Sequence, residues 1–570
     1  MPRKSRRIIV STLSLLCILA VMLAACGPTG TGSTSNGTPT STGKPVQGGT
    51  WVDAIYEDPN SLIPNGSVET FAYLVDQAIW APLFTGTPSG AITPGLASEV
   101  PTLQNGDIST DQKSITIKLR PNLKWSDGQP LTAKDIDFTW KLWVNPAFGA
   151  QNSVGYPLIK STDITHNNQW ITFHLASPFE PFLAQWTDGL LAPMPEHIFG
   201  SMKPGDILKS KLNLDPTVSS GPFTMSESKP GTSYTVVRNP NYYQAAQGLP
   251  HLDKIVFSYV SDQDTILKDV QAGSVNSSWF LDVTKTSSYK ALSNYSVVTA
   301  PSAANFEALS FNLHNPVLQD VNIRKAIAMA IDHQTLITTA RHGEATALCT
   351  DHPSAFNPGY QANAPCPAYD PAGAKKLLEQ DGYKLDANGI YAKNGKELSF
   401  NYSTTSNNPW RAEDEVILQQ DFKAIGIQIK ISNYPGSTFF GTFLPQGKSN
   451  YDLGEFENSF TYDADDATLG ACSQIPTAAN NYSGQNFSFY CNRQLDQLYT
   501  QEQGSFDAAT RQQAFNQIHQ IYLTQFPFVF LYAPVDIAVV KSTGHNYNIG
   551  SEGSSETVNV MNWWCTAGKC

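Results

Sequence analysis

Alternation of apolar and polar side chains is clearest in two short stretches. Over residues 113–120, Ile115, Ile117 and Leu119 fall on one face, and Ile427, Ile429 and Ile431 repeat the pattern; both predict strands with one buried side. Elsewhere the spacing is helical. Asp370-Pro371 places an N-cap acid before a first-turn proline, Ala374, Leu377 and Leu378 form an apolar stripe, and Gly382 supplies a stop. Asp320 stands before a second stripe of Ile323, Ala326, Ile327, Ala330 and Ile331. Thr132 and Asp135 have capping-box spacing ahead of Ile136, Trp140 and Trp143. Asp127-Gly128-Gln129-Pro130 reads as a turn, and Gly221-Pro222 permits a tight backbone path. Strands and helices mix without a strict βαβ rhythm, and no repeat of 20–50 residues marks a solenoid or propeller. The expected class is α/β, in the mixed α+β sense, in several lobes.

The N-terminus breaks this pattern. Arg3, Lys4, Arg6 and Arg7 precede an apolar run over 8–25, which ends in Leu23-Ala24-Ala25-Cys26. A basic start, an apolar run and small residues before the cut define a secretory signal over 1–25. The cysteine at the cut resembles the lipobox of bacterial lipoproteins, which implies that Cys26 carries lipid and becomes the first mature residue. Residues 27–45 contain only Gly, Pro, Ser and Thr apart from Asn36 and Lys44. Residues 26–46 are therefore expected to act as a tether, with a reach of roughly 25 Å.

Composition narrows the partners. The 570 residues carry a formal charge of −12, which becomes −16 when the signal removes four basic residues and no acidic ones. Nucleic acid as a partner needs clustered Lys and Arg, so it is excluded. With Cys17 and Cys26 set aside, six cysteines remain, Cys349, Cys366, Cys472, Cys491, Cys565 and Cys570. An even number in an exported chain reads as disulfides. Fifteen connectivities are open, and the pairing of sequence neighbours is preferred. Zinc is disfavoured, because no C-x2-C pair or matching histidine spacing is present.

Catalytic signatures are missing. There is no G-x-S-x-G, H-E-x-x-H or G-x-G-x-x-G, and in the stretch ending Gly447-Lys448-Ser449 a threonine, Thr442, stands where a phosphate loop needs its first glycine. The ten histidines are scattered; His342 and His352 flank Cys349 and read as satisfied loop residues. Asp463-Ala464-Asp465-Asp466 lacks the glycine and terminal Glu of a calcium loop and reads as a solvated acidic loop, with solute contact as the alternative. No enzyme, metal or cofactor is expected.

Several segments, in order, resemble the family 5 extracytoplasmic solute-binding proteins of ABC importers, the peptide/nickel group. They are Gly48-Gly49-Thr50-Trp51-Val52 with Asp58-Pro59-Asn60-Ser61-Leu62, and the stretch over 123–139 from Leu123-Lys124-Trp125 to Asp137-Phe138-Thr139. Ser219-Ser220-Gly221-Pro222-Phe223, Arg238-Asn239-Pro240-Asn241-Tyr242-Tyr243 and Arg324-Lys325-Ala326-Ile327 follow. The resemblance spans about 48–540. It implies a two-lobed hinged clamp like the periplasmic binding proteins, with an extra subdomain inserted in lobe I. By analogy lobe I comprises 47–86, 216–303 and 532–570, the insertion 87–215, and lobe II 304–531. The implied role is a monomeric, lipid-anchored receptor that captures an oligopeptide or similar polar small-molecule solute and delivers it to the importer permease. The resemblance places solute contacts at Tyr56, Glu57 and Asp58 and at a loop over 458–466 that includes Asn458, Phe460, Thr461, Tyr462, Asp463 and Asp465. Thr404, Asn408 and Trp410 are further wall candidates. Peptide binders of the family carry an aspartate for the peptide amine where Thr461 stands here, so the resemblance leaves open whether Asp463 or Asp465 replaces it.

Overall fold

The computed structural model describes residues 43–67, 69–86, 91–187, 191–302, 305–354, 358–361, 364, 366–459, 466–549, 556–566 and 570. The expected elements form where their caps place them. Asp370 Oδ1 accepts from the Gly373 amide at 2.8 Å and opens helix Pro371–Gln380, which buries Ala374 and Leu378. Asp320 opens Val321–Ala330 in the same way. Thr132 and Asp135 form a complete capping box on helix Ala133–Trp143. The alternation over 113–120 becomes strand Ser114–Lys118, with Ile115 and Ile117 buried. Strand Gln428–Ile431 buries Ile429, but Ile431 is exposed. This strand ends its sheet, so its last residue passes beyond the core that should cover it.

Among the described residues, twelve strands join in one sheet. Its N-terminal half is built on Thr50–Ile55, which pairs in parallel with Lys254–Tyr259 and Ser277–Trp279. The other half is built on Asn305–Phe311, antiparallel to Leu453–Ser459, with Ser399–Ser403 and Gln428–Ile431 beyond. One fourteen-residue strand, Phe528–Lys541, belongs to both. Its first residues pair with Asn305–Phe311, and from Val535 onward it pairs with Tyr295–Pro301. Three apolar clusters lie among the described residues: the largest contains Trp51, Ile55 and Trp80 and runs on into Phe306, Trp410 and Phe515 of the other half, a second contains Ile327, Leu418 and Tyr402, and a third contains Phe439, Phe443 and Phe487. A separate three-stranded sheet of Ser114–Lys118, Ile159–Thr165 and Trp170–Leu175 carries helix Ala133–Trp143.

Two glycines show turn motifs acting as fold devices. Gly128 adopts φ +88° in its turn. Gly221 donates to Ile79 O at 2.7 Å, and a Cβ there would meet the Ile79 carbonyl carbon at 2.4 Å. The cysteines pair as sequence neighbours, Cys349–Cys366, Cys472–Cys491 and Cys565–Cys570. Among the described residues no helix is long and apolar enough to cross a membrane. The leader, Cys26 and residues 26–42 of the tether lie outside them.

Candidate functional site

Where strand Thr50–Ile55 ends, its chain meets the other half of the molecule. The Tyr56 ring lies 4.7 Å from Phe71, 5.9 Å from Phe280 and 6.5 Å from Trp410 between centroids. Trp410 comes from helix Pro409–Ala424, so this aromatic wall draws on both halves of the sheet. Phe280 holds φ +61°, a region that bulky side chains rarely occupy and that marks a position fixed by its surroundings. Glu57 reaches across as well, since a Cβ on Gly436 would lie 2.8 Å from its Oε2. Glu57 also bonds Glu69, whose carboxylate caps helix Thr70–Ile79. Burial pushes Glu57 up, opposed by the nearby Arg411 guanidinium.

Behind this wall lies a concentration of buried acids. Glu307 faces Glu457 across the antiparallel pair of Asn305–Phe311 and Leu453–Ser459, and Glu455 sits two residues earlier on the second strand. Asp414 from helix Pro409–Ala424 and Asp536 from the shared strand complete five carboxylates. Two guanidiniums answer them. Arg411 grips Glu307 through Nε–Oε1 at 2.8 Å and Nη2–Oε2 at 3.1 Å, and also donates to Thr405 Oγ1 at 2.7 Å. Arg341 lies 5.1 Å from the Trp410 ring and 5.4 Å from that of Tyr532.

Like charges this close, and this dry, resist ionisation together. Burial pushes Glu455 well above the ordinary carboxylate range, Glu307 adds to the rise, and Arg341 opposes it. Glu457 rises through burial, then Asp536 and Glu307. Burial carries Asp536 to about 7 against the pull of Arg341. Asp414 also reaches about 7 by burial, although the Tyr532 hydroxyl donates to it at 2.6 Å. Glu455 is fully buried, and neither of its carboxylate oxygens has a hydrogen-bond partner within the protein. A buried carboxylate without donors is costly to keep unless something else supplies positive charge.

The expected contact residues divide. Tyr56, Glu57 and Trp410 meet at the junction. Asp58 turns away, accepting from Gly231 N and Tyr234 OH, both at 2.9 Å, within the N-terminal half. Thr404 is buried and donates to Glu455 O at 2.8 Å, so it holds the strand that carries the acids. Asn408 caps helix Pro409–Ala424 through Oδ1 to Arg411 N, and its Nδ2 is left without a partner. Asn458 borders a cavity of about 20 Å³, which is water-sized. Phe460, Thr461, Tyr462, Asp463 and Asp465 lie outside the described residues. Asp466 departs from the solvated-loop reading: it is fully buried at the start of helix Asp466–Gly470. His352 lies in a loop and meets Asp466 Oδ1 at 2.7 Å, as the satisfied-loop reading expects, but it is fully buried rather than at the surface.

Sequence reasoning passed over Glu307, Glu455, Glu457, Asp414, Asp536, Arg341 and Arg411. One signal was available, since Glu455 and Glu457 are two apart in strand Leu453–Ser459 and so share a face.

Comparison with known proteins decides the family. The profile of the bacterial extracellular solute-binding proteins, family 5 (middle), matches residues 91–474, about two thirds of the chain. The chain belongs to this family. Oligopeptide-binding protein AppA of Bacillus subtilis (strain 168) is 25% identical to this family 5 protein over 568 residues, covering 98% of the chain and 99% of the relative. The solved structure of AppA from Bacillus subtilis in complex with a nonapeptide superposes with a TM-score of 0.84 at 22% identity, covering 92% of this chain and all of that one. NikZ from Campylobacter jejuni in complex with Ni(L-His) gives 0.78 at 23%, covering 90% and 99%. The family 5 protein thus has the two-lobed α/β fold of the binding proteins, and the family is one of solute-binding proteins.

Proposed function

We propose that this family 5 protein is the receptor of an ABC importer for peptides that carry a positive charge near the buried acids. One observation carries the charge preference: Glu455 is enclosed, lacks internal donors, and stands among carboxylates that outnumber the guanidiniums five to two. An ammonium or guanidinium entering there would supply the missing charge and the missing donors together. Tyr56, Phe280 and Trp410 would enclose the peptide, and closure follows if peptide binds the closed form more tightly than the open one. AppA of Bacillus subtilis supports a peptide by likeness over nearly its whole length. We assign lobe I to 47–86, 216–303 and 532–570, the inserted subdomain to 87–215 and lobe II to 304–531. The change of partners along the shared strand supports the boundary near residue 531. The Leu23-Ala24-Ala25-Cys26 sequence supports lipid on Cys26, and the Gly, Ser, Thr and Pro run over 27–45 supports a tether that would hold the receptor, which we assign as a monomer, at the outer face of the cell membrane beside its permease.

The test is titration of the purified chain with short peptides, following tryptophan fluorescence. Lysine- or arginine-containing peptides should bind, and neutral N-acetylated ones of equal length should bind at least about tenfold more weakly, the scale of one charge-assisted hydrogen bond. Equal affinity for both would remove the charge preference. No response to any peptide, together with a non-peptide solute released on denaturation, would overturn the peptide reading.

A further inference from the structure

Away from the cleft acids, a second set of ionisable groups converges. Asp351 and His352 follow Cys349 by two and three residues, Asp466 opens helix Asp466–Gly470, and His519 lies in helix Ala508–Gln525. All four are buried, at most 1% exposed. His352 Nε2 lies 2.7 Å from Asp466 Oδ1, and His519 Nε2 lies 2.8 Å from Asp351 Oδ1. A third edge, His352 Nε2 to Asp351 Oδ1, measures 3.9 Å. One donor atom from each residue falls within 4.8 Å of the others.

We propose that Asp351, His352, Asp466 and His519 form a structural site for a divalent transition ion, with Zn2+ as the best match. Three observations carry it. Both imidazoles present the same nitrogen, Nε2, to the two carboxylates, so the four donors point at one centre rather than forming two independent pairs. Tetrahedral Zn2+ with bonds of about 2.0–2.1 Å separates its donors by about 3.3 Å, and the measured edges lie on both sides of that value. Two neutral imidazoles and two carboxylates also neutralise a divalent ion, so the buried site carries no net charge. Mixed imidazole and carboxylate donors are ordinary zinc chemistry, and four protein ligands leave no position for substrate.

The surroundings fit a closed site. The Phe515 ring packs 4.9 Å from the His352 ring. Gly359 lies so close to His352 that any Cβ there would overlap Nδ1 and Cε1, which fixes the imidazole from behind. Gln361 contacts His519 Nδ1 at 3.0 Å, the outer partner that orients a ligating imidazole; with its amide oxygen turned inward it accepts the Nδ1 proton and leaves Nε2 free to bind. Thr350 Oγ1 lies 3.1 Å from His519 Nε2 and is displaced or joins the ligands on binding. The ion would tie helix Ala508–Gln525 to Asp466, the residue directly after 460–465, and to the segment closed by Cys349–Cys366. It is a fastener, separate from the solute and independent of what the solute is.

The experiment uses the whole mature chain, stripped with a chelator under mild denaturant, refolded and equilibrated with Zn2+ alone. One equivalent of zinc should remain after gel filtration by elemental mass spectrometry, the unfolding midpoint should rise, and Co2+ in its place should show the intense visible bands of a tetrahedral ion. His519→Gln and Asp351→Asn should each abolish stoichiometric binding while circular dichroism and peptide-induced fluorescence show a folded chain. If either variant fails to fold, the Co2+ spectrum of the unsubstituted chain decides alone. A folded chain that retains no zinc and shows no tetrahedral Co2+ bands would overturn the proposal and leave an ion-pair network. Undiminished binding in both folded variants would overturn it equally.

Discussion

Arg411 grips Glu307 through two parallel hydrogen bonds, fastening helix Pro409–Ala424 to strand Asn305–Phe311 beneath the cleft. The pair is almost fully enclosed, so its partners are worth far more together than apart. Arg411→Ala should therefore destabilise the chain by about 3–5 kcal/mol, because Glu307 is then left among Glu455 and Glu457 with less compensation. Urea unfolding measures this, and Arg411→Ala combined with Glu307→Gln should recover a large part of the loss. A single-variant cost below about 1 kcal/mol would mean that the pair is well solvated.

Glu455 should behave in the opposite way. Glu455→Gln removes a buried acid that has no donors, so the solute-free chain should gain about 1–3 kcal/mol. The same change should weaken a cationic peptide by about tenfold or more, since a charge-assisted bond becomes a neutral one. Stability gained and affinity lost in one variant is the signature of a group kept for its ligand. If thermal unfolding and fluorescence titration both worsen, the residue is structural.

Proton linkage gives a third expectation. Asp414 has a folded value of about 7 against 3.8 for the unfolded group, so the folded chain holds the proton to higher pH. The unfolded state then binds fewer protons between about pH 4 and 7, and stability must fall as pH rises through that window. The slope from one such group reaches about 1.4 kcal/mol per pH unit. Asp414→Asn, which keeps an acceptor for the Tyr532 hydroxyl, should flatten the curve. Urea midpoints measured from pH 4 to 8 check it, and an unchanged slope in the variant would assign the effect to other acids.

Closure itself can be probed at Gly436. A Cβ there would press on the Glu57 carboxylate, which comes from the other half of the sheet. Gly436→Ala should weaken solute binding by about tenfold, through about 1–2 kcal/mol of crowding felt only in the closed form. The unfolding midpoint without solute should stay unchanged. A fall in that midpoint with affinity intact would mean that Gly436 serves local folding.

Local chemistry made much of the fold legible. The caps at Asp370, Asp320 and Thr132 act over three residues, and the glycine turn at Gly128 over four, so linear sequence contains their whole cause. The disulfides close loops of 5 to 19 residues and were likewise within reach. The acid cluster was hidden for the converse reason. Glu307, Asp414, Glu455 and Asp536 are scattered along the chain, and only sheet pairing and the packing of helix Pro409–Ala424 bring them together. Asp466 shows the same limit, since its run of neighbouring aspartates suggests solvent, while its partner His352 is 114 positions away.

The strand Phe528–Lys541 also bears on how the molecule moves. Its partners change from Asn305–Phe311 to Tyr295–Pro301 around Pro534, a residue with no amide hydrogen to give up. Strand Ala345–Ala347 still pairs across residues 532–534, so rotation of the halves is confined to the step just beyond it, where the ladder to Tyr295–Pro301 begins. Opening and closing then become a matter of a few backbone torsions, and the work a solute must do is spent on its own desolvation and fit rather than on breaking the receptor's architecture.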